Sequence, residues 1–393
     1  MAADEEMTID ERRKYLKKQW TRYRIADRTE KSRLLSEMEA VTGLHRKSLV
    51  RLLNQPSLAR QPAANRRGRT YGPDVERVIV VVWESLDYIC AERLQPQVRA
   101  TAQHLARFGE VWLTPDLEAQ LAQISVATVQ RLLQHQRRPP QRLPQKGPEA
   151  AHRLRQTVPM QRIPWDTTEP GHFEVDLVHH AGGTAAGEHG YTLQLIDVAT
   201  GWSERVALLG RSQRAMGEAF QRVIDRLPCP IRELHPDNGS EFFNAHLFHL
   251  IDTEMPGVRL SRSRPYHKND NRFVEQKNAT LVRAYLGHHR LETAEQIAAL
   301  NALYDRMWVF YNLFQPVLRL AEKTIVDGNA RRIWDTAETP YQRLLAAGSL
   351  AADQQRRLRD TYQATNPRQL RRQIDTQLID LWTRCQPDRL AAD

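Results

Sequence analysis

Cysteine is scarce in this chain. The 393 residues include three, Cys90, Cys229 and Cys385, and they lie far apart. None belongs to a C-x-x-C pair or lies beside the paired histidines that a zinc site would need. The sequence therefore predicts reduced cysteines in a cytosolic protein, and neither a disulfide scaffold nor a zinc module.

Long apolar runs are also missing. No stretch approaches the roughly 18 consecutive apolar residues of a membrane span, and the first twenty residues are polar, without the apolar segment of a secretory signal. We expect a cytoplasmic protein without a membrane partner.

Acidic residues are fewer than basic residues. Lys and Arg number 57 against 47 Asp and Glu, for a net charge of +10 and an isoelectric point near 9.7. This balance suits a polyanionic partner, although many basic proteins never bind nucleic acid. The 41% hydrophobic fraction is enough to bury a core in two to four domains.

The N-terminal region, 1–55, shows apolar residues at helical spacing. The pattern predicts helices over 15–25, 29–41 and 46–53, with a turn at Gly43, and this layout is typical of a helix-turn-helix. A plain helical hairpin would show the same apolar pattern. If the segment binds DNA, its outward basic residues are Arg46, Lys47 and Arg51.

Two basic segments separate the helical regions. Residues 56–73 and 137–168 are rich in proline and arginine, which predicts extended linkers that run along phosphates or serve as solvated spacers. Between them, the pattern of residues 74–136 predicts a second helical domain of helix-turn-helix character, in which Ser125 caps the last helix. The candidate DNA-contacting residues of the linkers are Arg66, Arg67, Arg69, Arg137 and Arg138.

From His172 onward, the spacing of apolar residues changes from the helical pattern to that of β-strands. Three consecutive antiparallel strands are followed by alternating helices and strands, which predicts a mixed α/β sheet over 169–314. The helices expected there include one near 245–253 and a long one from about 270 to 286. The last region, 315–393, predicts a small hairpin around Asp327-Gly328 and then helices, the last capped by Asn366. The fold class is thus multidomain α plus α/β.

Three acids occupy unusual positions in the predicted sheet domain. Asp176 lies inside the apolar strand FEVDLV, Asp237 ends another strand in PDNGSEF, and Glu275 lies in the helix of NDNRFVEQKN. Any one of them alone is most simply a surface charge. An unpaired carboxylate in a central strand, however, loses several kcal/mol on burial unless a cation balances it. Oxygen ligands suit a hard divalent ion.

These three motifs resemble those of the integrase-core DDE transposases of bacterial insertion sequences, and more distantly those of retroviral integrases. The close match covers about 165–315, and the stretches TGLHRKSLVRLL and TPYQRLL extend it. The zinc module of retroviral integrases is absent, and the helix-turn-helix segments take its place.

The resemblance implies a ribonuclease-H-like catalytic domain and a nucleoid-associated bacterial enzyme. Asp176 and Asp237 would bind one Mg²⁺, and Asp176 with Glu275 a second, with Mn²⁺ as a substitute. The partners would be the terminal inverted repeats of a mobile element, its target DNA and further copies of the chain. Basic residues near Glu275 that could line the DNA path are Lys268, Arg272, Lys277 and Arg283.

Two alternatives remain open, and a third is set aside. A nuclease that only cleaves would need the same acids, a transposase-derived DNA-binding regulator would have lost at least one, and a purely structural basic protein would explain only the charge. If recognition lies in the helical modules, a fragment that starts near Arg155 is expected to fold and to nick generic DNA weakly.

Overall fold

The computed structural model describes residues 7–55, 70–136, 164, 167–184, 186–236, 253, 255–261, 271–326 and 329–385. The chain divides into two units, 1–70 and 71–393.

The first unit contains the three helices that the sequence predicts. Its buried side chains, among them Leu16, Leu34, Met38 and Leu49, form one small core. Gly43 has a φ of 66°, the left-handed conformation that favours glycine, and it ends the second helix. The DNA-binding role of this unit stays a prediction. The helices are Ile9–Ile25, Arg28–Thr42 and Arg46–Leu53.

The second unit is built on a mixed five-stranded sheet. Its strands are β1 (His172–His180), β2 (Gly190–Asp197), β3 (Ser203–Leu209), β4 (Glu233–Pro236) and β5 (Arg259–Leu260). The order is β3-β2-β1-β4-β5, antiparallel among the first three and parallel from β1 to β4 and β5. The predicted antiparallel series and mixed sheet are confirmed.

Helices cover both faces of this sheet. Because side chains alternate along a strand, Phe173 and Val175 face the helix Gln213–Arg226, whose Phe220 belongs to the same core. Val178 on the other face packs with Val282 and with other residues of the following helices. The sheet is therefore the middle layer of three.

The chain after β5 returns across that second face. A helix starts at Arg272–Lys277, continues as a π-helix over Asn278–Arg283 and ends with Ala284–Leu286. The helix Ala294–Val309 follows, and a second π-helical segment, Phe310–Phe314, extends it. The helix that the sequence predicts near 245–253 falls almost entirely outside the described residues.

The helices predicted over 74–136 are present and belong to the second unit. Their buried side chains, such as Trp83 and Leu105, share a core with the strands. Ser125 caps the last of these helices, as predicted. The domain boundaries themselves stay predictions. The helices are Pro73–Ser85, Ala91–Leu94, the 3₁₀ turn Gln95–Gln97, Val98–Ala106, Pro115–Gln123 and Val126–Leu133.

The C-terminal region contains the predicted hairpin and helices. Strands β6 (Leu320–Val326) and β7 (Asn329–Trp334) pair antiparallel, and the helices Pro340–Ala346, Ala352–Ala364 and Pro367–Cys385 follow. The apolar face of the last helix packs on Ala294–Val309, so its partner lies in this chain. Within the described part of the chain, no helix is long and apolar enough to cross a membrane.

Candidate active site

Two acids lie side by side on the central strand. Glu174 and Asp176 are two residues apart in β1, so both point to the face that the helix after β5 covers. Glu174 is buried, with 1% of its surface exposed, and Asp176 is half-buried. The backbone N–H of Leu177 donates to Asp176 Oδ1 at 2.8 Å.

Glu174 binds the start of the helix that carries Glu275. The backbone N–H groups of Phe273 and Val274 donate to its Oε2 at 2.7 and 2.9 Å. The first N–H groups of a helix lack partners within the helix, and negative charge is favourable there. Burial raises the pKa of Glu174 to about 8, and the charge of Glu275 acts in the same direction. The two backbone hydrogen bonds and Arg272 oppose this shift.

Asn278 joins the same helix to Asp176. Its side-chain Nδ2 donates to Asp176 Oδ2. Asn278 follows Glu275 by three residues, a spacing that places both on one side of the helix. The exposed Glu275 is therefore held on the helix that contacts both acids of β1. The structure thus brings Asp176 and the helix of Glu275 together.

The helix is not the regular α-helix that the sequence predicts over about 270–286, because Asn278–Arg283 is π-helical. Kinks and wide turns arise where a side chain competes for the helix carbonyl groups. Nη1 of Arg205 donates to the carbonyl oxygen of Leu281 at 3.3 Å, inside this segment. Wide turns of this kind are frequent at functional sites.

A polar row crosses the sheet beside Asp176. The register pairs Asp176 with Gln194 and Gln194 with Arg205. Gln194 is fully buried, and among the described residues neither polar atom of its side chain has a hydrogen-bond partner. Arg205 is 2% exposed, and its guanidinium lies 5.5 Å from the ring centre of Tyr304. Burial lowers the pKa of Arg205.

Sequence reasoning missed Glu174, Gln194 and Arg205. Each is a polar residue inside an apolar strand, the same signal that singled out Asp176. Their spacing along the chain gives no sign that Glu174 caps a helix about one hundred residues later.

Three of the four basic residues predicted to line a DNA path lie among the described residues, and all three make contacts within the protein. Arg283 donates to the carbonyl oxygens of His179 at 2.7 Å and Gly287 at 3.2 Å, and burial lowers its pKa. Lys277 Nζ lies 5.1 Å from the ring centre of Tyr311, and the guanidinium of Arg272 lies 4.7 Å from that of Phe273. Their DNA contacts stay predictions.

In the first unit, the guanidinium of Arg46 donates to Ser36 Oγ at 2.9 Å and to Ser32 Oγ at 2.7 Å. Lys47 and Arg51 are exposed. A phosphate contact by Arg46 would therefore compete with bonds inside the unit, whereas the other two side chains are accessible.

The third predicted acid, Asp237, lies outside the described residues, as do Lys268, Arg66, Arg67, Arg69, Arg137 and Arg138. Strand β4 ends at Pro236, which pairs with Val175 in β1. Among the residues that the structure does describe, no three His, Cys, Asp or Glu side chains form a group that could hold a metal ion.

Comparisons with known proteins give one family relationship. No protein-family model matches the chain. The Sinorhizobium fredii protein named "Uncharacterized protein y4rM" is 35% identical over 323 residues, which cover 82% of this chain and 91% of that protein. The chain therefore belongs to the same family as this rhizobial protein.

Among solved structures, the catalytic core domain of BIV integrase overlaps 45% of this chain and 95% of its own, with a TM-score of 0.31 and 16% sequence identity.

Proposed function

We propose that the chain is a DNA transposase or integrase of the DDE class. It would bind the terminal inverted repeats of a mobile element, cleave at their 3′ ends and join them to target DNA by phosphoryl transfer. The observation that carries the proposal is the junction of Asp176 in β1 with the helix of Glu275, made by Asn278 and Glu174. The three sequence motifs around Asp176, Asp237 and Glu275 support it.

The donor set fits a divalent cation. Asp176 and Glu275 are oxygen ligands, the type that Mg²⁺ prefers and Mn²⁺ accepts. Asp176 and Glu275 bring two carboxylates to the junction of β1 with the Glu275 helix, and the charge of Glu275 helps to raise the pKa of the neighbouring Glu174. Like charges so arranged favour a bound cation. We propose Asp176, Glu275 and Asp237 as the residues that would hold two ions.

Two bound ions would supply activation of the entering oxygen and stabilisation of the leaving one at phosphorus. The chain's own contribution is to hold its carboxylates in place. Asn278 and the N–H of Leu177 each bind one oxygen of Asp176, which limits rotation of that side chain and fixes the direction of its lone pairs.

Recognition of DNA is assigned to other parts of the chain. The net charge of +10 favours a phosphate backbone, and the exposed Lys47 and Arg51 lie on the third helix of the first unit. Assembly of a homodimer or larger oligomer on DNA belongs to the same proposal.

The test is loss of chemistry without loss of fold or binding. We expect Asp176→Asn, Asp237→Asn and Glu275→Gln each to abolish Mg²⁺-dependent cleavage and strand transfer on duplexes that carry the element ends. Circular dichroism and gel-shift binding should stay close to the wild type. The exposed Asp380→Asn is the matched control.

Full strand transfer by any of the three variants would remove that residue from the proposed site. The same assay separates the other functions. Cleavage by the wild type without joined products would indicate a nuclease, and end binding without cleavage in Mg²⁺ or Mn²⁺ would indicate a regulator.

A further inference from the structure

The helix of Glu275 is capped from a distant strand and not from its own N-terminal residue. Asn271 occupies the N-cap position, where asparagine is one of the preferred residues, yet its side chain makes no capping hydrogen bond. The carboxyl group of Glu174, about one hundred residues earlier in the chain, accepts from Phe273 and Val274 in its place.

The capping group is rigidly placed. Glu174 is the third residue of a nine-residue strand, is paired with Ile196 on one side and His235 on the other, and is 1% exposed. A buried carboxyl group is unfavourable without donors, and both of its described donors are helix N–H groups. Two residues later the same strand carries Asp176, so one strand locates both the acid and the helix.

We propose that Glu174 is a positioning residue, whose carboxyl group fixes the start of the Glu275 helix relative to Asp176 and so sets the distance between the two acids to suit a divalent cation. This inference rests on the proposed function, in which Asp176 and Glu275 bind the metal. Glu174 itself is not a ligand in this proposal, because its Oε2 already accepts two hydrogen bonds.

The test compares two variants of Glu174 in the full chain. Glu174→Ala removes both acceptors, whereas Glu174→Gln retains an amide oxygen that can accept from the same N–H groups. Mn²⁺ affinity is measured by titration calorimetry, and the protection of the amides at 273–278 by hydrogen exchange. A matched control is Glu204→Ala, which removes another fully buried acid that binds Trp202, Trp308 and Arg226 instead of this helix.

We expect Glu174→Ala to weaken Mn²⁺ binding by about tenfold, the size of effect that loss of a good helix cap produces, and to deprotect 273–278. The Mn²⁺ affinity of Glu174→Gln should stay within about threefold of the wild-type value, which in free energy is less than half of the loss expected for Glu174→Ala. Glu204→Ala, even if the protein is less stable, should bind Mn²⁺ as the wild type does.

Two results would overturn the positioning role while leaving the proposed function intact. One is unchanged Mn²⁺ affinity in Glu174→Ala, while Asp176→Asn loses binding. The other is an equal loss of Mn²⁺ affinity in Glu174→Gln and Glu174→Ala, which would indicate that Glu174 is a metal ligand. If Asp176→Asn bound Mn²⁺ like the wild type, the proposed site would fail, and the role of Glu174 with it.

Discussion

Truncation of the chain at two positions tests how its helical regions depend on the sheet. A fragment 71–393 removes only the first unit, and we expect it to fold. A fragment that starts near Arg155 also removes the helices of 73–133. The sequence suggests that this shorter fragment would fold, but the contacts of those helices lead us to expect that it does not.

The stability that the shorter fragment loses follows from the hydrogen bonds between those helices and the C-terminal half. Six of them, three neutral and three that involve arginine, at about 1 and about 1.5 kcal/mol each, amount to roughly 7.5 kcal/mol. Whole domains are stable by only about 5–15 kcal/mol, and the shared apolar core adds to the loss. The bonds are Gln97 to Ala337, Gln315 to Leu86, His104 to Thr365, Arg93 to Pro316, Arg368 to Glu84 and Arg371 to Asp87.

The assay is thermal unfolding followed by near-ultraviolet circular dichroism, with both fragments and the full chain at equal concentration. Fragment 71–393 should unfold cooperatively near the temperature of the full chain's second unit, and fragment 155–393 should show no cooperative transition. The reasoning would be refuted by a 155–393 fragment that melts cooperatively within a few degrees of 71–393. Recognition and chemistry could then be separated at the later boundary.

Two further predictions concern single side chains. Asn278→Ala should lower the rate of Mg²⁺-dependent cleavage by about 10- to 100-fold, because a hydrogen bond to a charged carboxylate contributes about 1.5–3 kcal/mol. The circular dichroism spectrum should be unchanged. Cleavage at the wild-type rate would show that Asn278 has no role in holding Asp176. Burial, and next the charge of Arg283, lower the pKa of His180 to about 3, below its unfolded value near 6.5. The unfolded chain therefore binds a proton first, and stability should fall by about 1.4 kcal/mol per pH unit from pH 6.5 downward. Urea unfolding of the wild type and of His180→Gln at pH 7.5 and 5.5 measures this pH dependence. An equal loss of unfolding free energy in both proteins would show that groups other than His180 cause it.

The secondary structure was largely predictable because its signals are local. The strand period of HFEVDLVHH, the serine cap at Ser125 and the asparagine cap at Asn366 each depend on a few neighbouring residues, and the structure has the corresponding elements. The π-helical turn at Asn278–Arg283 was not predictable, because no local pattern marks it and the side chain that contacts it, Arg205, comes from another strand. Long-range contacts leave no period in the sequence.

The candidate site was predictable only in part. Asp176 was identified because a carboxylate in an apolar strand is unfavourable unless a partner balances it. Glu275 was identified because the helix around it carries a recognisable motif. Glu174 stands in the same strand but was passed over, since nothing near it in sequence shows that it meets Phe273 and Val274. Sequence identifies residue types that chemistry could use, whereas the fold decides which of them support the others.

The π-helical turn also bears on how sequences of this family should be aligned. A π-turn contains about one residue more than an α-turn, so the residues before and after Asn278–Arg283 are offset by one position relative to a regular helix. A relative that lacks the extra residue would still superpose at Glu275 and at Leu286, but its alignment would need a one-residue gap between them. Deletion of Ala279, inside the π-helical segment, would therefore leave a regular α-turn with both flanks in place, whereas deletion of a residue from a regular turn would rotate the segment beyond it by roughly 100°, one residue's share of a helical turn. The wide turn is therefore part of the architecture of the helix that carries Glu275.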